Sequence, residues 1–448
     1  MEMQADPHGA LSGRARVPGD KSISHRSLML AALAVGESRI DGLLEGEDVL
    51  ATAKALRALG VELVREPGGR WTVHGVGTGG LAEPEDVLDL GNAGTGARLL
   101  LGILAGHGFT SFLSGDASLR RRPMGRVARP LRAMGAEILT RSGERLPLAI
   151  TGRTRLLPIV WRSEVASAQV KSAILLAGLH APGETTVIEP LPSRDHTERM
   201  LTGMGAVVRT APAEGGGVAV TVAGEVELLP QQFTVPADPS SAAFPAVAAA
   251  VAPGSEVALE DVCLNPTRTG AYTTLAEMGA TIEITDRRQV AGEEVGTLRI
   301  RGGALRAVDV PAERAPAMID EYPVLFVAAA FAGGTSRFRG LAELRVKESD
   351  RLAVMAEGLS ACGVRCAIEG EDLLVEGTGA VEGGAAIDAR LDHRIAMSFL
   401  VLGGLARNPV RVAGAETIAT SFPGFARLMN GLGARIRAPA EGTEAERP

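Results

Sequence analysis

One pattern recurs six times along this 448-residue chain and limits its fold more than any other feature. Leu56–Gly60–Val61, Leu131–Gly135–Ala136, Leu201–Gly205–Ala206, Leu275–Gly279–Ala280, Leu359–Gly363–Val364 and Met429–Gly433–Ala434 share one spacing. Each predicts an amphipathic helix, a glycine just past its end, and then an extended segment such as Ala280-Thr-Ile-Glu-Ile284. Glycine suits the left-handed helix cap, and the hydrophobic period then changes from helix to strand. The intervals between glycines are 75, 70, 74, 84 and 70 residues, longer than solenoid repeats of about 20 to 50.

Each repeat also holds a second helical segment that begins polar and turns almost wholly apolar: Lys21–Val35, Asn92–Ala105, Ser167–Ala177, Asp238–Ala250, Asp320–Ala332 and Asp392–Leu405. A helix that is apolar all round is buried on every side. Polar residues at its N-terminal end alone sit where the helix dipole and free N–H groups favour anions. Six such ends brought together form an anion site; six unrelated N-caps on core helices would use the same residue types.

Val17-Pro-Gly-Asp-Lys-Ser22 and Val235-Pro-Ala-Asp-Pro-Ser240 lie 218 residues apart, close to three repeats. In both, proline favours an extended entry and Asp or Ser then starts a helix. This predicts two similar three-repeat lobes with the chain crossing at these points: 21–236 as one lobe, and 1–20 with 237–448 as the other. The segment from Ala438 to Pro448 is polar and rich in Pro, Glu and Gly, and is expected to fray.

Aromatics are 3% of the residues, so the core is built mainly from Ala, Leu and Val. The net charge of −7 argues against a nonspecific nucleic-acid or membrane binder. Apolar runs such as Val324–Ala332 fall short of the roughly 18 residues of a membrane span. Met1–Pro7 carries two acids and no basic or apolar run, unlike a targeting peptide. A cytoplasmic globular protein is the expectation. Cys263, Cys362 and Cys366 form no disulfide framework, and no second Cys or His pair completes a zinc site with the last two, so no metal is expected.

Several motifs fail on context. Gly75-Val-Gly-Thr-Gly-Gly80 satisfies GxGxxG, but the following Leu81-Ala-Glu-Pro84 does not start a helix, so a glycine-rich hairpin is expected. Gly19-Asp-Lys-Ser22 resembles the end of a Walker loop but has the wrong upstream glycines. HExxH and GxSxG do not occur. What remains is a set of cations beside apolar helices: Lys21, Arg26, Arg98, Arg122, Arg194, Lys347, Arg351 and Arg394. Lys347 and Arg351, four apart, are expected to share a helix face. Buried cations need anionic partners, and the arginine fork matches carboxylate or phosphate oxygens. Small ligands with several negative charges fit this set. Asp320 and Glu348 stand among the cations as candidates for general acid–base work, or for plain salt bridges.

At these residues the chain resembles the 5-enolpyruvylshikimate-3-phosphate synthase family. Leu88-Asp-Leu-Gly-Asn-Ala-Gly-Thr-Gly-Ala-Arg98 and Leu344-Arg-Val-Lys-Glu-Ser-Asp-Arg351 look like its two signature segments. Gly19-Asp-Lys-Ser-Ile-Ser-His-Arg26, Ser167-Ala-Gln169, Met318-Ile-Asp-Glu-Tyr322 and Leu391-Asp-His-Arg394 match in order, so the likeness runs from about Gly13 to Gly433. Ser167-Ala-Gln169, Arg194-Asp-His-Thr197 and Thr420-Ser-Phe-Pro423 resemble its class II branch, which includes glyphosate-tolerant members. The resemblance implies an α/β (α+β) fold of the inverse α/β-barrel type: two lobes, each of three βαβαββ units around buried parallel helices, with the active site in the interlobe cleft. It implies transfer of the enolpyruvyl group of phosphoenolpyruvate to the 5-hydroxyl of shikimate 3-phosphate, without metal or organic cofactor, in a monomer.

By the same resemblance, Ser22 and Arg26 would hold the shikimate ring and carboxylate. Ser167, the Ala168 backbone, Arg194 and Lys347 would hold the 3-phosphate, and Gln169 would contact both substrates. Lys21, Arg122 and the Gly94 N–H would bind the phosphate of phosphoenolpyruvate, and Arg351 and Arg394 its carboxylate. Asp320 and Glu348 would be the acid–base pair, assisted by Lys21, with the order of proton transfers open, and Lys21 and Asp320 would also contact shikimate 3-phosphate. Thr420 stands where many members carry a lysine. Gly94 leaves room for glyphosate, an expected competitive inhibitor. The sister family that uses UDP-N-acetylglucosamine is disfavoured, since Leu113–Arg122 lacks its acidic loop cysteine. A noncatalytic anion-binding module is the reading from another class.

Overall fold

The computed structural model describes residues 1–438. The polar tail expected from Ala438 onward lies, past that residue, outside the described part.

The six-fold motif has one backbone cause. Helices Glu47–Ala58, Gly125–Ala133, His196–Gly203, Gly270–Glu277, Arg351–Ala361 and Phe425–Gly431 all run into the repeated glycine. That glycine has positive φ in every repeat, from 86° at Gly363 to 110° at Gly433. The residue after it turns its N–H back to the carbonyl of the motif leucine or methionine, as in Val61 to Leu56 at 3.1 Å and Ala434 to Met429 at 3.0 Å. This bond satisfies a carbonyl at the helix end and brings the two apolar side chains of the motif together. The spacing seen in sequence is therefore a Schellman cap repeated six times.

The second, apolar helix of each repeat is also present: Lys21–Leu33, Gly94–Leu104, Ala168–Gly178, Pro239–Val251, Tyr322–Phe331 and His393–Leu405. Nearly every residue in these helices is buried. Close approach is built in: a Cβ on Gly102 would meet the Ala173 carbonyl at 2.2 Å, so the second and third of these helices touch backbone to backbone. Among the described residues the strands form six four-stranded sheets. In the second repeat, Leu88–Asp89 pairs parallel with Thr110–Ser114, which pairs antiparallel with Arg145–Thr151, and Glu137–Arg141 lies outermost. That is a βαβαββ unit.

The chain divides into two compact units. One holds Pro18–Pro236 with Gln289–Glu294; the other holds Met1–Val17, Ala237–Arg288 and the chain from Val295 onward. Pro18, Gly19 and Asp20 group with the first of these, whereas the sequence reading put them in the other lobe. The Asp20 N–H bonds the Pro236 carbonyl at 2.8 Å, and Gly19 packs against the Gly42 backbone.

Three strands come from far along the chain. Gln232–Thr234 is the parallel first strand beside Val35–Asp41, and Ser12–Ala15 plays that part beside Glu256–Cys263. Glu2–Ala5 lies between Val410–Ala413 and Ile436–Arg437, closing the last sheet. The GxGxxG stretch ends strand Trp71–Val76 and continues as a turn, with no helix before Gly94. No helix among the described residues is long and apolar enough to cross a membrane.

Candidate active site

In the Pro18–Pro236 unit, the starts of the three apolar helices carry most of the singled-out residues. Asp20 caps the first, accepting from Ile23 N at 2.8 Å, so Lys21 and Ser22 occupy its first turn. Lys21 Nζ reaches Asp48 Oδ2 at 2.8 Å, a counter-ion from the neighbouring amphipathic helix that sequence inspection did not single out. Arg26, one turn further in, is only 3% exposed. It donates to the Ser22 carbonyl, Thr197 Oγ1 and Ser172 Oγ at 2.7–3.0 Å. Between them, burial first and then Lys21 and Arg26 push the His25 imidazole well below its ordinary pKa, so it stays neutral.

The second helix begins at Gly94, and the reason for glycine is visible. A Cβ there would fall 2.5 Å from Nη1 of Arg122, which is buried where the short turn Leu119–Arg121 ends. Arg98, one helical turn on, donates to the Gly94 carbonyl, to Gln169 Oε1 and to the Pro123 carbonyl at 3.0–3.3 Å. It therefore buttresses the helix start, the Arg122 segment and Gln169 together. Gln169 in turn donates to Thr95 Oγ1 at 2.9 Å.

Ser167 caps the third helix, and Ala168 is its first residue. Arg194 is half-buried in the loop ahead of helix His196–Gly203. The same loop brings Asp195, His196 and Glu293 within ligand reach of one another. His196 Nδ1 lies 2.7 Å from Glu293, and Arg199 lies 2.8 Å from Asp195 and 3.8 Å from Glu293, so this is a charge-paired cluster. The sequence reading missed it because Glu293 is distant along the chain.

The other unit gathers a different set. Arg351, 1% exposed, faces three carboxylates. Its Nε donates to Asp392 Oδ2 at 2.8 Å, Nη1 to Asp320 Oδ1 at 3.3 Å, and Nη2 to Glu348 Oε2 at 2.6 Å and Asp392 Oδ1 at 3.2 Å. Burial alone would lower its pKa, but Asp392, Glu348 and Asp320 outweigh that and raise it above the ordinary arginine value. Asp392 also caps the helix that begins at His393 and accepts from Ser349 Oγ at 3.0 Å. Arg394 is buried beside this group, its Nε 3.9 Å from Asp320.

Lys347 does not share a helix face with Arg351, as the spacing suggested. The helix starts at Arg351 behind an Asp350 cap, and Lys347 lies ahead of it in extended backbone. Thr420, at the position without the expected lysine, is buried and bonds the Thr417 carbonyl at 2.8 Å.

The fold is that of an enolpyruvyl transferase: the structure aligns with the enolpyruvyl transferase NikO from Streptomyces tendae at a TM-score of 0.76 over 97% of this chain and 98% of that one, with 19% identity. The family follows from closer matches. The family model for EPSP synthase (3-phosphoshikimate 1-carboxyvinyltransferase) matches residues 5–429. A 3-phosphoshikimate 1-carboxyvinyltransferase of Paramagnetospirillum magneticum is 61% identical over 95% of this chain and 96% of that protein, and one of Parvibaculum lavamentivorans is 57% identical over 96% of each. The EPSP synthase structure from Acinetobacter baumannii aligns at a TM-score of 0.85 and 45% identity, over 98% of this chain and 100% of that one. The chain belongs to the EPSP synthase family, and it is a transferase enzyme.

Proposed function

We propose that the two clusters described above carry out the family's reaction with a division of labour between anion binding and proton transfer. The chain transfers the 1-carboxyvinyl group of phosphoenolpyruvate to the 5-hydroxyl of shikimate 3-phosphate, giving 5-enolpyruvylshikimate 3-phosphate and phosphate, the sixth step of the shikimate pathway to chorismate and the aromatic amino acids. Ser22 and Arg26 hold the acceptor's ring and carboxylate. Ser167, the Ala168 N–H, Arg194 and Lys347 hold its phosphate, and Gln169 touches both substrates. Lys21, Arg122 and the Gly94 N–H take the phosphate of phosphoenolpyruvate, and Arg351 and Arg394 its carboxylate. Asp320 and Glu348 are the acid–base pair, assisted by Lys21. One proton is delivered to C3 of phosphoenolpyruvate as the hydroxyl attacks C2 and gives up its own proton to the pair, and a C3 proton returns to the pair as phosphate leaves, with the carboxylate for each transfer open.

The observation that carries this reading is the shared guanidinium of Arg351, which draws Asp320 and Glu348 into one group. Two carboxylates held by one cation beside a carboxylate-binding arginine can give and take a proton at a substrate carbon next to that carboxylate. In the arrangement seen, Arg351 already bonds three carboxylates, so holding a substrate carboxylate requires its remaining Nη1 hydrogen or the release of one acid. Both substrates are polyanions, and the cations offset their repulsion and align the reacting atoms. The reaction requires both clusters to reach one pair of substrates, which is part of the proposal. Glyphosate competes with phosphoenolpyruvate, and the enzyme works as a cytoplasmic monomer.

Phosphate release from phosphoenolpyruvate, with and without shikimate 3-phosphate, tests the reading. Release that depends on shikimate 3-phosphate and collapses in Asp320→Ala and Glu348→Ala supports it. Release with UDP-N-acetylglucosamine instead would overturn the acceptor. Binding of both anions without turnover would leave an anion-binding module.

A further inference from the structure

Behind the segment Ser167–Gln169 lies an ion cluster that none of the roles above uses. Glu189, the last residue of strand Glu184–Glu189, is 1% exposed, and Lys171 is 2% exposed. Lys171 Nζ lies 2.9 Å from Glu189 Oε2 and 2.8 Å from Glu198 Oε1, and it also reaches the Ser193 carbonyl at 3.3 Å. Burial would lower the lysine's pKa, but the Glu198 and Glu189 carboxylates outweigh it and raise it, so the ammonium stays charged.

The geometry of Glu189 goes beyond an ion pair. Its Oε1 accepts from the Ser167 backbone N–H at 2.9 Å, and both its oxygens accept from Ser193 Oγ at 2.8 Å. One carboxylate thus ties together the N-cap residue of the third apolar helix and the residue immediately before Arg194. These are the two segments assigned to the 3-phosphate. A bare carboxylate directly behind an anion site would repel the ligand. Lys171, shared with Glu198, offsets that charge in part, which gives a physical reason for placing a lysine in the interior.

We propose that Glu189 is the positioning residue of the phosphate half-site, holding Ser167 and the Ser193–Arg194 turn in register for the 3-phosphate of the acceptor. The inference rests on the acceptor assignment made above. It predicts an effect confined to recognition of the phosphate group. A ligand group held by several donors loses most of its binding when those donors shift by about an ångström, and mispositioning on that scale costs up to about 100-fold.

The test compares equilibrium binding of shikimate 3-phosphate with that of unphosphorylated shikimate in wild type, Glu189→Ala and Glu189→Gln. In Glu189→Ala, affinity for shikimate 3-phosphate should fall about tenfold or more, while affinity for shikimate changes less than about twofold. Glu189→Gln keeps an acceptor for the Ser167 N–H and leaves Lys171 paired with Glu198, so it should recover part of the loss. An equal fall for both ligands, or no fall in either, overturns the proposal by reducing the cluster to a structural ion pair. If Glu189→Ala does not fold, Ser193→Ala carries the test with all three charges left in place, and the same two patterns decide it. A wild-type protein with no preference for shikimate 3-phosphate over shikimate would instead sink the acceptor assignment itself.

Discussion

The two charged clusters handle their ions differently. In the Pro18–Pro236 unit, Arg26 and Arg98 bond carbonyls, hydroxyls and an amide, Arg26 to Ser22, Thr197 and Ser172, and Arg98 to Gly94, Gln169 and Pro123, while Lys21 pairs with the Asp48 carboxylate. Bonds to neutral groups leave more of a guanidinium's charge available to a ligand than bonds to carboxylates do. In the other unit Arg351 faces three carboxylates, so its charge is already met before any ligand arrives. In the proposed roles Arg351 and Arg394 also take the carboxylate of phosphoenolpyruvate, so in that cluster the ligand competes with acids already in place.

The sharpest way to break this contrast is to remove the acids. Asp320→Ala and Glu348→Ala should each lower kcat by about 10²- to 10⁴-fold, with the affinity for shikimate 3-phosphate nearly unchanged in Glu348→Ala and falling far less than kcat in Asp320→Ala, as read from phosphate release and equilibrium binding. A loss in affinity matching the loss in kcat would place these residues in substrate binding.

Stability should separate the clusters next. Arg351→Met strands Asp320, Glu348 and Asp392 without their shared cation and should cost about 3–5 kcal/mol. Arg26→Met removes the donor from the Ser22 carbonyl and the Thr197 and Ser172 hydroxyls and should cost about 1–3 kcal/mol. Urea unfolding midpoints compare the two, and equal costs would erase the distinction.

Gly94→Ala probes the anion-binding cluster itself. The added Cβ meets the Arg122 guanidinium, so that side chain has to move. Overpacking of this kind costs about 1–3 kcal/mol. Glyphosate affinity should fall further than phosphoenolpyruvate affinity, both measured as inhibition and KM in one assay. Because the clash is with a residue assigned to the shared phosphate site, phosphoenolpyruvate should weaken as well, and equal losses would count against a steric basis for discrimination.

The smallest effect lies at the far ends of the helices in the same unit. Burial pushes the His180 imidazole from 6.5 down to about 4, with nearby His107 adding to the shift. The folded protein therefore keeps it neutral, while the unfolded chain takes up a proton below about pH 6.5. Its contribution is fully present above that pH and is lost as pH falls towards about 4. His180→Leu should flatten the fall in stability over that window by about one proton, measured by urea unfolding at a series of pH values. An unchanged slope would show that His180 is not neutral in the fold.

Much of the architecture was legible because it repeats. The spacing Leu56–Gly60–Val61 and its five counterparts record a local event, the cap bond between the residue after glycine and the motif's first residue, and local events leave local traces. The apolar helices were legible for the same reason, since burial on all sides removes polar residues from every position along a helix. The cations and the pair Asp320 and Glu348 stood out as charges beside such helices. Their partners did not: Asp48, Glu189 and Asp392 look like ordinary surface acids or caps in sequence. Arg98 could have been read either as a ligand contact or as a buttress, and its bonds to the Gly94 and Pro123 carbonyls and to Gln169 show the buttress contacts.

Sequence alone determined the repeated helix–cap–strand unit, the buried helices and the residues available for chemistry, because periodicity and capping act within a few residues. Tertiary structure alone decided which strand completes which sheet. Ser12–Ala15 and Gln232–Thr234 each lie just ahead of an apolar helix, yet each is the first strand of a sheet whose other strands lie elsewhere in the chain, and Glu2–Ala5 closes the last sheet. Strands of three or four residues carry little periodic signal, and their pairing is fixed by backbone hydrogen bonds to distant segments. The same holds for the ion partners: charge is written in the sequence, but which charges meet depends on how far apart the fold leaves them.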